Sequence, residues 1–264
     1  MRRILAYSGG YDSTYTLIRL LEEADSDDEI VAVSLVHYTT GEAKLRREHE
    51  SQIITIDKLR NKFKNRKLIH LEMSIYIPWE VGSAGNNKGL AQPIFWISNI
   101  IPLIKNEDVV YLGYIQDDQA MTNLHEIHQM WDAALAINGN KNVKLILPNQ
   151  YLPKTEVLKY LIQNYPDIVD SCISCESWRY DGRTTVCGTC EPCKHTKMAL
   201  MNLIVTESGA VRDKAIAMLR DNYGIEFEIH DHNGDKFEGF ATRVEKVEDK
   251  EEEVESDESD NIER

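Results

Sequence analysis

Basic charge is scarce in this sequence. Its 264 residues hold 30 Lys and Arg against 44 Asp and Glu, for a net charge of −14. A protein that tracks nucleic acid needs a basic face to neutralise phosphates, so the shortage argues against direct nucleic-acid binding over a large footprint. The deficit is uneven, because Glu245 to Arg264 carries eleven acidic and three basic residues and thus −8 of the total. Long apolar runs are also missing. None approaches the roughly 18 residues of a membrane span. The N-terminal stretch does not resemble a secretory leader, since the run Ile4 to Tyr7 is short and strand-like and a Gly-Gly pair follows at once. The chain is therefore expected in the cytoplasm. Cysteine is absent everywhere except between Cys172 and Cys193, where five fall together. In a reducing compartment that clustering points to a metal site before a disulfide framework. A chain of this length buries a sizeable core without covalent staples.

What is present alternates. Arg3 to Tyr7 reads as a buried strand, and the Gly pair turns it into a helix over about residues 12–23, with Leu17, Leu20 and Leu21 at helical spacing. Ile30 to His37 and Lys67 to Met73 are further strands. Between them Arg46 to Asn65 is an amphipathic helix whose predicted core stripe is Ile53, Ile54, Ile56, Leu59 and Phe63. A Gly- and Asn-rich loop over Trp79 to Gln92 leads to an apolar helix over about 93–104. A strand at 108–114, a helix at 123–137, a strand at 143–147 and a helix at 152–164 follow. This order predicts an α/β protein with a doubly wound, mostly parallel sheet, whose ligands bind beyond the carboxyl ends of the strands. After the cysteine segment, residues 194–203 and 211–223 read as helices. Ile225 to Val244 alternates around Asn233-Gly234, a hairpin signal. The last twenty residues are charged, almost without large apolar groups, and expected to be disordered.

Two motifs carry chemistry. The first is Ser8-Gly9-Gly10-Tyr11-Asp12-Ser13, at the end of the first strand. Two glycines let backbone N–H groups converge, and the helix that follows presents its positive end to an anion. The hydroxyls of Ser8 and Ser13 add donors for phosphate oxygens. The loop lacks the lysine and the longer spacing of a Walker A element. Asp12 either positions Mg²⁺ or caps the helix. The second motif is Cys175 with Cys187-Gly188-Thr189-Cys190-Glu191-Pro192-Cys193. Four thiolates from two short stretches surround a zinc ion at about 2.3 Å, and Gly188 permits the turn between ligands. Cys172 pairs equally well with Cys175 on spacing and is taken as the spare. An iron–sulfur cluster is the alternative occupant.

The Ser-Gly-Gly-x-Asp-Ser loop resembles that of the PP-loop ATP pyrophosphatase superfamily, which implies cleavage between the α and β phosphates of ATP. In that geometry the adenine lies near Val36 and His37. Loop and cysteines together resemble 7-cyano-7-deazaguanine synthase over about residues 2–205. Ser174-Cys175, Cys187 to Cys193, Lys154-Thr155-Glu156-Val157, Tyr111-Leu112-Gly113 and Asp117 or Asp118 stand at matching places. The family's Pro-Gly-Arg-Asn and Tyr-Pro-Asp-Cys-Arg segments have no counterpart here; Gln92-Pro93-Ile94 and Met121-Thr122-Asn123 stand nearby.

The resemblance implies an ATP-dependent ligase that joins ammonia to 7-carboxy-7-deazaguanine through adenylated intermediates, giving the amide and then the nitrile. Lys154 would be the cation at the developing phosphate charge, and Asp118 would hold Mg²⁺ or ammonium. Trp79, Phe95 and Trp96 either stack on a purine-like ring or pack in the core. Its division of the chain is an ATP-binding domain over 1–170, a zinc segment and helix over 171–205, a helix and hairpin over 206–244 and the acidic tail over 245–264. Two rivals remain: a PP-loop enzyme that modifies tRNA, and a non-catalytic nucleotide- and zinc-binding module. The number of subunits is open, with a homodimer among the possibilities.

Overall fold

The computed structural model describes residues 1–37, 42–75, 92–140, 142–175, 186–228 and 241–243. Its centre is β1 (Arg2–Ala6), a short apolar strand whose side chains alternate between two cores. Ile4 and Ala6 join one of them and Leu5 and Tyr7 the other, as the two-residue period of a strand dictates. Because both faces are covered, the strand reads as a continuous apolar run.

β1 feeds α1 (Tyr11–Glu23), β2 (Glu29–His37), α2 (Glu42–Lys62) and β3 (Lys67–Ile75). The chain then returns through α3 (Gln92–Ile100) to β4 (Val109–Leu112), and continues by α4 (Leu124–Asn138) to β5 (Lys144–Ile146). All four pairings are parallel and the strand order is β3-β2-β1-β4-β5. This is the expected doubly wound α/β sheet. The direction of winding reverses between β1 and β4, and the crevice beyond their carboxyl ends is where such folds take ligands.

Residues of α1, α2, α5 (Lys154–Asn164), α6 (Pro166–Val169), α7 (Glu191–Thr206) and α8 (Gly209–Tyr223) share one core, including Leu17, Ile56, Val157, Ile168, Leu203 and Leu219. The other core joins α3 and α4 to the opposite face through Trp96, Ile100, Ile127 and Trp131. Trp96 is thus a packing residue, and Phe95 packs half-buried against the same core. β6 (Glu226–Glu228) and β7 (Ala241–Arg243) form a separate antiparallel pair. Trp79, Asn233-Gly234 and the acidic tail lie outside the described residues.

Two boundaries and one face differ from expectation. The apolar helix stops at Ile100 and tightens into a 3₁₀ turn over Ile101–Leu103, because Pro102 has no N–H to continue the α ladder. The fourth strand ends at Leu112, where Gly113 meets α1. In α2 the predicted stripe holds at Ile56, Leu59 and Phe63 and fails at Ile53 and Ile54, which are 40% and 46% exposed. The buried face is Gln52, Thr55, Ile56 and Leu59, the i, i+3, i+4, i+7 set, with Ser51 beside it. Hydrophobicity pointed to the isoleucines, but the polar members of the buried face have partners in the loop below.

Candidate functional site

β1 runs out of the sheet into Ser8, Gly9 and Gly10. Gly9 has φ of +81°, a left-handed conformation that side chains resist. Gly10 is the N-cap of α1 and offers no side chain to cap it, so the first N–H groups of the helix are left for other partners. Inside the loop the Ser8 and Ser13 hydroxyls are 3.0 Å apart, and Ser13 Oγ donates to Gly10 O at 3.2 Å. Ser8 is exposed and Ser13 buried.

The loop is also held from outside. Gln52 Nε2 donates to Ser8 O at 3.2 Å, and the Ile173 N–H donates to Gly9 O at 3.1 Å. The Tyr11 N–H donates to Ser174 Oγ at 3.4 Å. The Tyr11 ring itself is buried in the core, so this residue serves the loop through its backbone.

Behind the loop, Gly113 follows β4 directly. A Cβ at that position would lie 2.8 Å from Thr16 Oγ1 and 3.2 Å from Ser13 Cα, so only a glycine lets α1 come this close to the sheet.

Lys154, at the start of α5, points into this crevice rather than into solvent. Its Nζ donates to both oxygens of Asp12, at 2.8 and 2.7 Å, and its side chain is only 5% exposed while that of Asp12 is 23% exposed. Asp12, within the first turn of α1, makes no capping bond; it is the partner of Lys154. Asp117 accepts the Lys154 backbone N–H at 3.2 Å, and Asp118 accepts the Ile115 N–H at 2.8 Å. The structure thus gathers Asp12, Lys154, Asp117 and Asp118 from three distant stretches of chain.

Burial, and after it the nearby Asp12 carboxylate, push the Asp118 carboxyl up to about 6; the Ile115 N–H and Lys154 pull the other way. The folded state therefore binds this proton more tightly than the unfolded chain. Its contribution to stability is present at low pH and is lost as pH rises through about 6. Asp118→Asn, which keeps an acceptor for the Ile115 N–H, is expected to stabilise the protein at pH 8 by about 1–3 kcal/mol and to leave it unchanged near pH 4. Urea midpoints at the two pH values measure this; an equal shift at both would remove ionisation as the cause.

Beyond the loop opens a cleft of about 1220 Å³. Among the described residues its wall carries Asp12, Glu48, Asp117, Asp118, Glu126 and Glu191 against one lysine, Lys154. Tyr114 also lines it, and its buried hydroxyl has no hydrogen-bond partner among the described residues. Burial, followed by the Asp118 charge, raises the phenol well above its ordinary range.

The far end of the same cleft reaches Cys175 and His195. The sulfurs of Cys175, Cys187, Cys190 and Cys193 all lie within 4.8 Å of one another. Gly188 turns the chain at φ +69°, and Cys187 Sγ accepts N–H bonds from Cys190 at 3.3 Å and Thr189 at 3.5 Å. Cys175 Sγ accepts the Cys187 N–H at 3.3 Å. Donors aimed at sulfur suit thiolates. Burial opposes ionisation of Cys187, but these N–H groups and the Thr189 hydroxyl outweigh it and lower the thiol to about 6. Cys172 is outside the set; it sits in the core, donates to Ile168 O at 3.5 Å, and burial pushes its thiol up to about 12. The four-thiol cluster is a metal-binding site in its chemistry and geometry.

Val36 is half-buried near the carboxyl end of β2, and His37 closes that strand; its side chain lies outside the described residues. Sequence reasoning gave no role to Ile173, Ser51 or Gln52. Polar residues within an amphipathic helix were the available signal for the last two. Nothing in the sequence marks an N–H of residue 173 as a partner of residue 9.

Fold and site together define a doubly wound α/β protein with a glycine loop at its switch point and a metal-binding cysteine cluster at the other end of one cleft. Neither a protein-family model nor a curated protein sequence matches the chain. Among solved structures it is similar to the U34-tRNA thiolase NcsA from Methanococcus maripaludis with its 4Fe–4S cluster. That likeness has 13% identity and a TM-score of 0.39 over 83% of this chain and 72% of the other.

Proposed function

We propose that this chain is an ATP-consuming enzyme of the PP-loop type that adenylates a small acid. The observation that carries the reading is the convergence of the Ser8 to Ser13 loop with the buried Lys154–Asp12 pair at the β1–β4 crevice. Bound nucleotide would supply an activated α-phosphorus. The protein's part is placement and charge: the first turn of α1 offers N–H donors and a positive helix end to phosphate. Lys154, fixed by Asp12 and shielded from water, holds a preorganised ammonium where charge develops in the transition state. Asp118, ionised above about pH 6, is the carboxylate for Mg²⁺ or ammonium.

The substrate we propose is 7-carboxy-7-deazaguanine, with ammonia as the nitrogen donor and the nitrile as product. Among the described residues the cleft carries one lysine against six carboxylates, which supports a small substrate over a polyanion such as tRNA.

For the cysteines we propose zinc. A zinc ion with four sulfurs at about 2.3 Å places them about 3.8 Å apart; Cys187 and Cys193 are 3.9 Å apart and no pair exceeds 4.8 Å. The four irons of a cubane would spread the thiolates several ångströms further. Four thiolates complete a tetrahedral shell, so zinc would tie residues 187–193 to Cys175 structurally.

Full-length protein incubated with ATP, Mg²⁺, ammonia and 7-carboxy-7-deazaguanine should release AMP or pyrophosphate and yield a new mass for amide or nitrile. A parallel reaction with tRNA in place of the deazaguanine should release neither. Silence in both reactions would remove the enzymatic reading, and turnover with tRNA alone would replace the substrate.

A further inference from the structure

We infer that Ser174 is a positioning residue through which the metal site and the nucleotide loop are coupled, so that each ligand binds more tightly when the other is present. The inference rests on the ATP reading of Ser8 to Ser13. It goes further in giving the cysteine cluster a task in nucleotide binding.

The observations lie in one short segment. Residues 171–175 pass directly against the loop, and consecutive residues of that segment have consecutive jobs. Ser171 O accepts the Ser51 hydroxyl at 2.6 Å, which anchors the segment to α2. The Ile173 N–H bonds Gly9 O at 3.1 Å, Ser174 Oγ accepts the Tyr11 N–H at 3.4 Å, and Cys175 is one of the four clustered thiols. Gly10 admits this approach, because a Cβ there would lie 3.3 Å from both Ile173 O and Ser174 Oγ.

The peptide between Ser174 and Cys175 is planar and stiff, so fixing the Cys175 sulfur in a metal's shell restricts where Ser174 Oγ lies. The Gly10 and Tyr11 N–H groups are held by Ser8 Oγ and Ser174 Oγ, so Ser174 sets the position of the start of α1, the helix end offered to phosphate. A metal that orders residue 174 therefore removes part of the entropy that nucleotide would otherwise lose in ordering the loop. Binding free energies are reciprocal, so nucleotide must raise metal affinity by the same factor.

The full-length protein is titrated with a non-hydrolysable ATP analogue and Mg²⁺, once loaded with zinc and once stripped by a chelator. The loaded form should bind the analogue about tenfold more tightly, within the usual range of coupling between sites, and zinc affinity should rise by the same factor when the analogue is bound. Ser174→Ala should shrink both factors to within about twofold, and Ser174→Thr, which keeps the hydroxyl, should restore them.

A second measurement uses the loaded protein alone. With Co²⁺ in the cysteine site, the thiolate-to-cobalt absorption should shift on adding the analogue, and the shift should vanish in Ser174→Ala. Equal affinities in loaded and stripped protein would overturn the coupling and leave the ATP reading standing. If the stripped form unfolds, the cobalt band decides, and a band unmoved at saturating analogue overturns the coupling. Absence of analogue binding in every form would overturn both.

Discussion

Lys154→Met is expected to lower kcat/KM for ATP-dependent turnover by about 10²–10³-fold, the usual effect of removing a preorganised charge from a transition state. The ammonium is 5% exposed and held by two bonds to one carboxylate, so no side-chain reorganisation is needed when phosphate charge develops. Removing it also strands Asp12 beside Asp118. A fully buried pair broken in this way costs about 3–5 kcal/mol, and the partial exposure of Asp12 brings the expected loss down to about 1–3 kcal/mol. The double variant Asp12→Asn/Lys154→Met separates the two effects. It should regain most of the stability in urea unfolding and none of the turnover. If it regains turnover, Lys154 serves only to neutralise Asp12. Lys154 also opposes the upward displacement of Asp118, so the single variant should raise the Asp118 carboxyl further and move the alkaline loss of its stabilising proton to higher pH.

The second large effect is expected from Gly113→Ala. The new methyl would sit 2.8 Å from Thr16 Oγ1, and that oxygen has little freedom to leave. It donates to Asp12 O at 2.8 Å and accepts from Asn149 Nδ2 at 2.7 Å. The backbone of α1 at Ser13 is also too close, at 3.2 Å. Overpacking of this kind costs about 1–3 kcal/mol when the surroundings yield, and here the part that yields is the helix that carries the loop. Urea unfolding should show a loss near the top of that range, and nucleotide affinity should fall by more than tenfold by the coupled displacement of α1. Thr16→Ala in the same chain relieves the nearer contact and should recover part of both. Unchanged affinity in Gly113→Ala would mean that the loop does not depend on how closely α1 approaches the sheet.

Much of this was legible in the sequence because it is local. The apolar run of β1, the Ser-Gly-Gly turn and the leucines of α1 follow one another along the chain, and each has a short-range physical signature. The cysteine cluster was legible for the same reason, since Cys187, Cys190 and Cys193 are spaced to converge. Spacing alone did not decide between Cys175 and Cys172, and the structure supplies a physical reason for Cys175: Cys172 is buried in the apolar core. The face of α2 was right at Ile56, Leu59 and Phe63 and wrong at Ile53 and Ile54, because hydrophobicity alone set the stripe while Ser51, Gln52 and Thr55 are buried with partners contributed by the loop and residue 171. Lys154 was singled out by resemblance alone. Its burial depends on Asp12, 142 residues away, and no window of sequence contains both.

That distance has a consequence for how the molecule is made. β1 and β2 pair across 27 residues, so the first layers of the sheet assemble from a short length of chain. The Asp12–Lys154 pair closes a loop of 142 residues and the Tyr11–Ser174 bond one of 163. Closing loops of that length costs entropy before any contact repays it. During synthesis the loop leaves the ribosome 142 residues before its lysine and 163 before its serine prop. A nascent chain that has not reached Ser174 can carry the motif but cannot present the site.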